Sequence, residues 1–167
     1  DLLYQKKRIE ELIDRSHKSV AEIFFKKEID LARDIEEGIG EIEIDPDQIT
    51  QVLINLLKNA AEAVQEKGTV GIRARKYRGE HAEVVREKGN PLVLLEVYDN
   101  GSGIDRRDVS KIFEPFYSMK VGGTGLGLFV THSIIQHHQG RITVSSKPGQ
   151  GTTFRVFLPM TRPSKGG

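Results

Sequence analysis

The chain has no cysteine. Disulfides and thiolate metal sites are therefore ruled out, which fits a reducing compartment. It also lacks an excess of charge of either sign. Its 25 lysines and arginines stand against 24 aspartates and glutamates, a formal net charge of +1. Nothing in that balance draws the chain to nucleic acid or to an anionic membrane. Long apolar runs are missing too: the longest falls far short of the roughly 20 residues that a membrane span needs. No signal-peptide pattern opens the sequence. These absences predict a cytoplasmic protein with no nucleic-acid partner and no membrane contact by this chain, whether or not a longer parent is membrane-anchored. The opening Asp1-Leu2-Leu3-Tyr4 carries no methionine, and the chain is expected to be a piece of something longer. At 167 residues it has the length of one ordinary domain with a real core.

What is present is a mixture of helix and strand patterns. Residues 9–27 place apolar side chains at Ile9, Leu12, Ile13, Val20, Ile23 and Phe24, with Ser16 as a gap, and predict a helix. Ile29, Leu31 and Ile35 alternate, and Ile42 and Ile44 follow Gly38 and Gly40, predicting two short strands. Asp45-Pro46-Asp47-Gln48 reads as a helix start. Asp45 suits the N-cap, Pro46 the first helical position, and Gln48 the back-bonding place of a capping box. From there Ile49, Val52, Leu53, Leu56, Leu57, Ala60, Ala61 and Val64 keep a 3.6-residue stripe, ending near Lys67-Gly68.

Val70, Ile72 and Ala74 alternate as a strand, and residues 91–97 are more continuously apolar, as expected of a central strand buried on both faces. The charged segment 77–90 between them reads as a hairpin loop. Ile142 and Val144, then Phe154, Val156 and Leu158, predict two strands joined around Pro148-Gly149-Gln150-Gly151. Residues 161–167 read as a disordered tail. Strands mixed with about three helices, and two hairpins, argue for an α/β fold: a two-layer sandwich on a mixed, mostly antiparallel sheet rather than a doubly wound sheet.

Glycine is concentrated in Gly122-Gly123-Thr124-Gly125-Leu126-Gly127-Leu128, which opens into a helical pattern running to Gly140. Glycine lets backbone N–H groups approach a ligand, and a helix start offers unpaired N–H groups and a positive dipole end. No Lys-Ser or Lys-Thr follows the last glycine, so this is not a Walker A loop. The preceding Phe113-Glu114-Pro115-Phe116-Tyr117-Ser118-Met119-Lys120 does not read as a strand, so dinucleotide-binding and protein-kinase glycine loops are excluded as well. Phosphate cradle and structural turn both remain open for it at this point.

Three further groups have two readings each. Asn55 and Asn59 lie one helical turn apart, opposite the apolar stripe, with Gln48 and Glu62 on the same side. They are either a solvated face or amide ligands, since an amide oxygen is a hard, neutral donor suited to Mg²⁺. Asp99-Asn100-Gly101-Ser102-Gly103-Ile104 is either a tight turn or a base site. In the second reading Asp99 accepts from an exocyclic amine, favouring adenine over guanine, while Gly101 and Gly103 let a flat base lie against the backbone. Phe113 and Phe116 anchor a loop, and Thr152 stands at a strand start after Gly149 and Gly151.

In this order, the Asn-bearing helix, Asp-x-Gly-x-Gly, Phe-Pro-Phe, Gly-x-Gly-x-Gly and final Gly-x-Gly-Thr resemble the N, G1, F, G2 and G3 boxes of sensor histidine kinases. Their ATP-binding domain shares a superfamily with gyrase, Hsp90 and MutL (the Bergerat, or GHKL, fold). The likeness covers residues 9–160, and Asn55-Leu56-Leu57-Lys58-Asn59-Ala60-Ala61-Glu62-Ala63 with the glycine run is most similar to the nitrogen-regulatory type.

The resemblance implies ATP and Mg²⁺ as cofactors. Asn59 would be the metal ligand, and Asn55 would support the phosphate region. Asp99 would bind the adenine amine with support from Thr152, and Gly101, Gly103 and Ile104 would complete that turn. Gly123, Thr124, Gly125, Leu126, Gly127 and Leu128 would cradle phosphates. Residues 104–122 would form an ATP lid pinned by Phe113 and Phe116. Lys120 is either a neutraliser of the β- or γ-phosphate or a solvated loop lysine. ATPases of the superfamily place a glutamate where Asn55 stands, and an amide cannot take a proton from water. Phosphoryl transfer to a protein is therefore the implied reaction.

The acceptor departs from the family pattern. Histidine kinases phosphorylate a histidine followed by an acidic residue and then Asn-Pro or Thr-Pro, and no histidine here has that setting. His17 reads as a surface residue, and His137 and His138 as packing or dipole-compatible residues. Residues 1–8 are expected to be a remnant of the dimerising helical hairpin, or its linker. The implied partners are the phosphoacceptor domain of the same protein, a homodimer at full length, and a response regulator. A serine kinase of the anti-sigma type and a nucleotide-gated binding module are the other two readings.

Overall fold

A computed structural model describes residues 1–77, 91–118 and 125–164. Its elements run β1 (Gln5–Arg8), α1 (Ile9–Ser19), α2 (Ala21–Lys26), β2 (Leu31–Ile35), β3 (Glu41–Ile44) and α3 (Pro46–Ala63). The second half adds β4 (Val70–Tyr77), β5 (Leu92–Asp99), α4 (Gly127–His137), β6 (Arg141–Lys147) and β7 (Gly151–Pro159), with one 3-10 turn at Val109–Lys111. Five strands form a sheet in the order β2-β4-β5-β7-β6. Only β2 and β4 are parallel; the other neighbours are antiparallel. The expected mixed, mostly antiparallel two-layer sandwich is what the chain adopts, with β5 at the centre.

Alternation decides which side of the sheet is covered. Val70, Ile72, Val93, Leu95, Val97, Phe154, Val156 and Leu158 point to one face, where the α3 stripe of Leu53, Leu56, Leu57 and Ala60 packs on them. A fully buried leucine contributes roughly 2 kcal/mol, so this stripe sets how α3 docks. The opposite face carries an ion-pair row in which buried Glu96 accepts from Arg75 and Arg155. Among the described residues no helix is long and apolar enough to cross a membrane.

Local rules predicted α3 well at its start and less well at its end. Asp45 caps it, accepting from the Gln48 amide at 3.2 Å, with Pro46 in the first turn. The return bond of a capping box is not made by Gln48: the Asp45 amide donates to Nε2 of His138 instead. The helix stops at Ala63, before the expected Lys67, because Val64 turns extended. Its last carbonyls are taken up by Lys27, whose ammonium donates to Ala61 O at 2.7 Å and Val64 O at 2.8 Å.

Four other expectations change. The predicted helix over 9–27 breaks at Val20 into α1 and α2, which makes four α-helices among the described residues where about three were expected. Ser16 is no gap in the buried face; it is fully buried, and its hydroxyl donates to Leu12 O at 2.6 Å where α1 crosses α3. Residues 5–8, part of the expected hairpin remnant or linker, pair with β3 as an antiparallel ribbon. The tail is partly held: the Arg162 amide donates to Glu43 at 3.2 Å, and Pro163 is buried. Most of the expected 77–90 loop, residues 78–90, and the last three residues of the tail lie outside the described residues.

Candidate functional site

Asp99 ends the central strand. Opposite it on β7 stands Thr152, and opposite Thr152 on β6 stands Ser146, so the three side chains form one row on the helix-covered face. The Asp99 carboxylate accepts from the Gly101 amide at 2.8 Å. Burial pushes its pKa above the usual 3.8, and the amides of Gly101 and Thr152 hold it back. A half-buried carboxylate that still has free lone pairs is a strong acceptor for an incoming N–H group.

The turn after Asp99 is shaped by protein contacts. A Cβ on Gly101 would stand 2.5 Å from the Ala63 carbonyl oxygen at the end of α3, and the Ser102 amide donates to that oxygen at 3.2 Å. Gly103 lies against the Lys147 backbone. The sequence reading expected both glycines to clear room for a base. The space beside their α-carbons is filled by backbone, so they set the angle at which Asp99 is presented. Ile104 is buried, and its amide donates to Ser146 Oγ at 2.8 Å.

The other wall is built from α3 and α4. Asn55 Nδ2 donates to Gly127 O at 3.1 Å and to Thr131 Oγ1 at 3.2 Å, while its Oδ1 accepts from Gln51 at 2.9 Å. Asn55 thus fastens the first turn of α4 to α3. Asn59 follows one turn later, half-buried on the same side of α3. Gly127 opens α4 with Leu128 half-buried behind it and Leu126 exposed before it. The first amides of this helix have no intrahelical acceptor and sit at its positive end.

Of the segment expected to be a lid, residues 104–118 are described. Phe113 anchors it to the core, its ring lying 5.5 Å from His132 and 6.2 Å from Phe154. Buried Ile112 adds to that anchor. Phe116 does not: it is 76% exposed. Its backbone serves in place of its ring. The Phe116 amide donates to Gly125 O at 3.1 Å, and a Cβ on Gly125, at φ +69°, would run into the Phe116 carbonyl carbon. Residues 116 and 125 are therefore clasped. Lys120, Gly123 and Thr124 fall between them, in the stretch 119–124 that lies outside the described residues.

His17 is less superficial than its sequence setting suggested, and His138 is the packing residue that its own setting suggested. His17 is half-buried, edge-on to Phe24, and its Nδ1 accepts from Arg33 at 3.1 Å. Burial and Arg33 push its pKa down, with Asp14 opposing. His138 is buried and bonded to two elements. Ser146 was missed altogether. Its one signal was a polar residue at the third inward position of an alternating strand, after Ile142 and Val144.

The structure therefore brings a carboxylate acceptor, an asparagine-bearing helix and a glycine-opened helix start around one end of the sheet. Comparison with known proteins agrees with that layout. Residues 44–162 match the family model described as histidine kinase-, DNA gyrase B-, and HSP90-like ATPase. The sensor histidine kinase ZraS of Salmonella typhimurium is 35% identical over 159 residues, 95% of this chain and 32% of that protein. The sensory histidine kinase/phosphatase NtrB of Rhodobacter capsulatus is 41% identical over 155 residues, 91% of this chain and 42% of that protein. The chain thus spans about a third to two fifths of these relatives.

Among solved structures, the nucleotide-free catalytic domain of histidine kinase ThkA superposes with a TM-score of 0.80 at 30% identity, covering 96% of this chain and 98% of that one. ThkA in complex with the response regulator protein TrrA gives 0.75 at 26% identity, covering 97% and 43%. The chain belongs to the histidine kinase-, DNA gyrase B- and HSP90-like ATPase family, as an ATP-binding domain of the sensor histidine kinase kind.

Proposed function

We propose that this chain binds Mg-ATP and donates the γ-phosphoryl group to a histidine on a separate acceptor domain of its parent protein, which works as a homodimer and passes the phosphate to a response regulator. The observation that carries this reading is the state of Asn55. At the place where, by the resemblance, superfamily ATPases hold a glutamate, this amide spends both N–H groups on α4 and has no group that can take a proton from water. Transfer to a protein fits such a site better than hydrolysis. The relatives named as sensor histidine kinases, and the ThkA complex with TrrA, support the same direction.

Each residue has a role in positioning. Asp99 accepts from the adenine amine, and Thr152 faces the same edge. The open amides at the start of α4 hold phosphate oxygens, and Asn55 keeps that helix start in place. Asn59 offers an amide oxygen of the kind Mg²⁺ accepts beside phosphate oxygens and water; bound there, the ion would neutralise charge on the phosphates. Gly123 and Thr124 would extend the phosphate cradle, and Lys120 would add a cation. In the transfer, the acceptor imidazole nitrogen bonds to the γ-phosphorus as the bond to the bridging oxygen breaks, and ADP leaves with that electron pair.

The test mixes this chain, radiolabelled Mg-ATP and a helical hairpin bearing an acceptor histidine. Acid-labile, alkali-stable phosphate should appear on the hairpin and none on this chain. Such phosphate on this chain, lost in His17→Gln, would overturn the division of labour. Acid-stable phosphate on a partner serine would indicate the serine-kinase reading, and nucleotide binding without any transfer would indicate a binding module.

A further inference from the structure

Ser146 sits at the junction of three contacts. Its Oγ lies 2.8 Å from the Ile104 amide, 3.0 Å from Gly151 O and 2.8 Å from Thr152 Oγ1. A serine hydroxyl has one proton to give and two lone pairs to receive with. The Ile104 amide can only donate, and the Gly151 carbonyl can only accept. If Ser146 gave its proton to Thr152, its oxygen would face the Gly151 oxygen at 3.0 Å with no hydrogen between them. One arrangement satisfies all three contacts: Ser146 donates to Gly151 O and accepts from both the Ile104 amide and the Thr152 hydroxyl.

That direction has a consequence across the row. With its proton committed to Ser146, Thr152 can present only lone pairs to a ligand. Asp99, its direct cross-strand neighbour, also presents only lone pairs. We infer that Ser146 is a specificity-positioning residue: by taking the Thr152 proton it makes Thr152 and Asp99 a pair of acceptors that selects a purine bearing an amine at C6. Through the Ile104 amide the same hydroxyl also fixes the far end of the turn that presents Asp99. Ser146 acts through these neighbours and does not itself touch the base. This inference rests on the ATP reading of the site.

Isothermal titration of the whole chain with three Mg-nucleotides tests it: ATP, GTP and purine riboside triphosphate, which lacks the 6-amine. Ser146→Ala should weaken ATP by about tenfold, the scale of one buried hydrogen bond, and weaken purine riboside triphosphate far less. The ATP preference then narrows, and Ser146→Thr restores it. Thr152→Val should narrow it to the same extent, with no further loss in the double variant. An equal loss for all three nucleotides in Ser146→Ala, or none, would overturn the inference and leave the ATP reading intact. Should Ser146→Ala show no melting transition, the preference of Thr152→Val decides alone. A wild-type chain that binds none of the three removes the ATP reading, and the inference with it.

Discussion

The backbone amide of Asp45 donates to Nε2 of His138 at 3.1 Å, joining the start of α3 to the end of α4. Nδ1 of the same ring lies 2.8 Å from Ile134 O, which can only accept, so Nδ1 carries the proton and Nε2 carries none. The buried ring is neutral. Around it stand the Asp45 carboxylate, His137, and Tyr4 with its ring 5.7 Å away; Arg162 covers Tyr4, and the Arg162 amide donates to Glu43. Leu3 also reaches this junction, its amide donating to Asp45 at 2.9 Å.

Acid should therefore loosen the junction. Burial above all pushes the His138 pKa below 6.5, although Ile134 O and Asp45 oppose it. The folded chain then binds fewer protons than the unfolded one, and this contribution is present above pH 6.5 and lost as pH falls below it. Melting curves between about pH 7.5 and 5 should show that slope. His138→Gln should flatten it while costing about 1–2 kcal/mol at the upper end. Parallel profiles for the two proteins would count against it.

Asp99 titrates with the opposite sign. Its folded-state pKa lies above 3.8, so ionising it costs stability as pH rises past that value. Asp99→Asn should melt no lower than wild type at pH 7, and the difference between the two curves should shrink in acid. Its affinity for ATP should fall by about 10–100-fold, the scale of a hydrogen bond to a charged group. Unchanged affinity would remove Asp99 from the site.

Asn55→Asp exchanges the donor that holds α4 for a carboxylate facing the Gly127 carbonyl. Urea titration should show a loss of about 2–3 kcal/mol. Binding of ATP should suffer more than binding of adenosine, because the helix start that the triphosphate would use is loosened and gains a nearby negative charge. An equal loss for both ligands would argue against that role.

Two glycines of the same run should behave differently. Gly125→Ala must hold a positive φ against the Phe116 backbone and should cost about 1–3 kcal/mol. At Gly127 the nearest atom to an added Cβ is Asn55 Cγ at 3.9 Å, so Gly127→Ala should stay within about 0.5 kcal/mol of wild type in unfolding. Equal effects of the two on urea unfolding would contradict the clasp between residues 116 and 125.

Much of this architecture was legible without coordinates. The α3 stripe, the Asp45 cap, the alternation in β4, β6 and β7 and the largely apolar run of β5, interrupted at Glu96, are local patterns, and each became the element it predicted. The order of the glycine, asparagine and aspartate groups was enough to suggest the family. Where a reading failed, the missing partner was distant. Ser16 looked like a gap because the helix it lies against was not visible in its own segment. Phe116 looked like an anchor because aromatic character was readable and its outward direction was not.

Period, caps and residue chemistry are written in the chain order, because these depend on neighbours a few positions away. Which groups meet is a matter of the folded arrangement. His138 finds Asp45 across 93 residues, Asn55 reaches Thr131 across 76, and Ile104 bonds Ser146 across 42. The physical reason is directional. A hydrogen bond needs a partner near 3 Å at the right angle, and strand order, which no local pattern specifies, is what brings Asp99, Thr152 and Ser146 into one row.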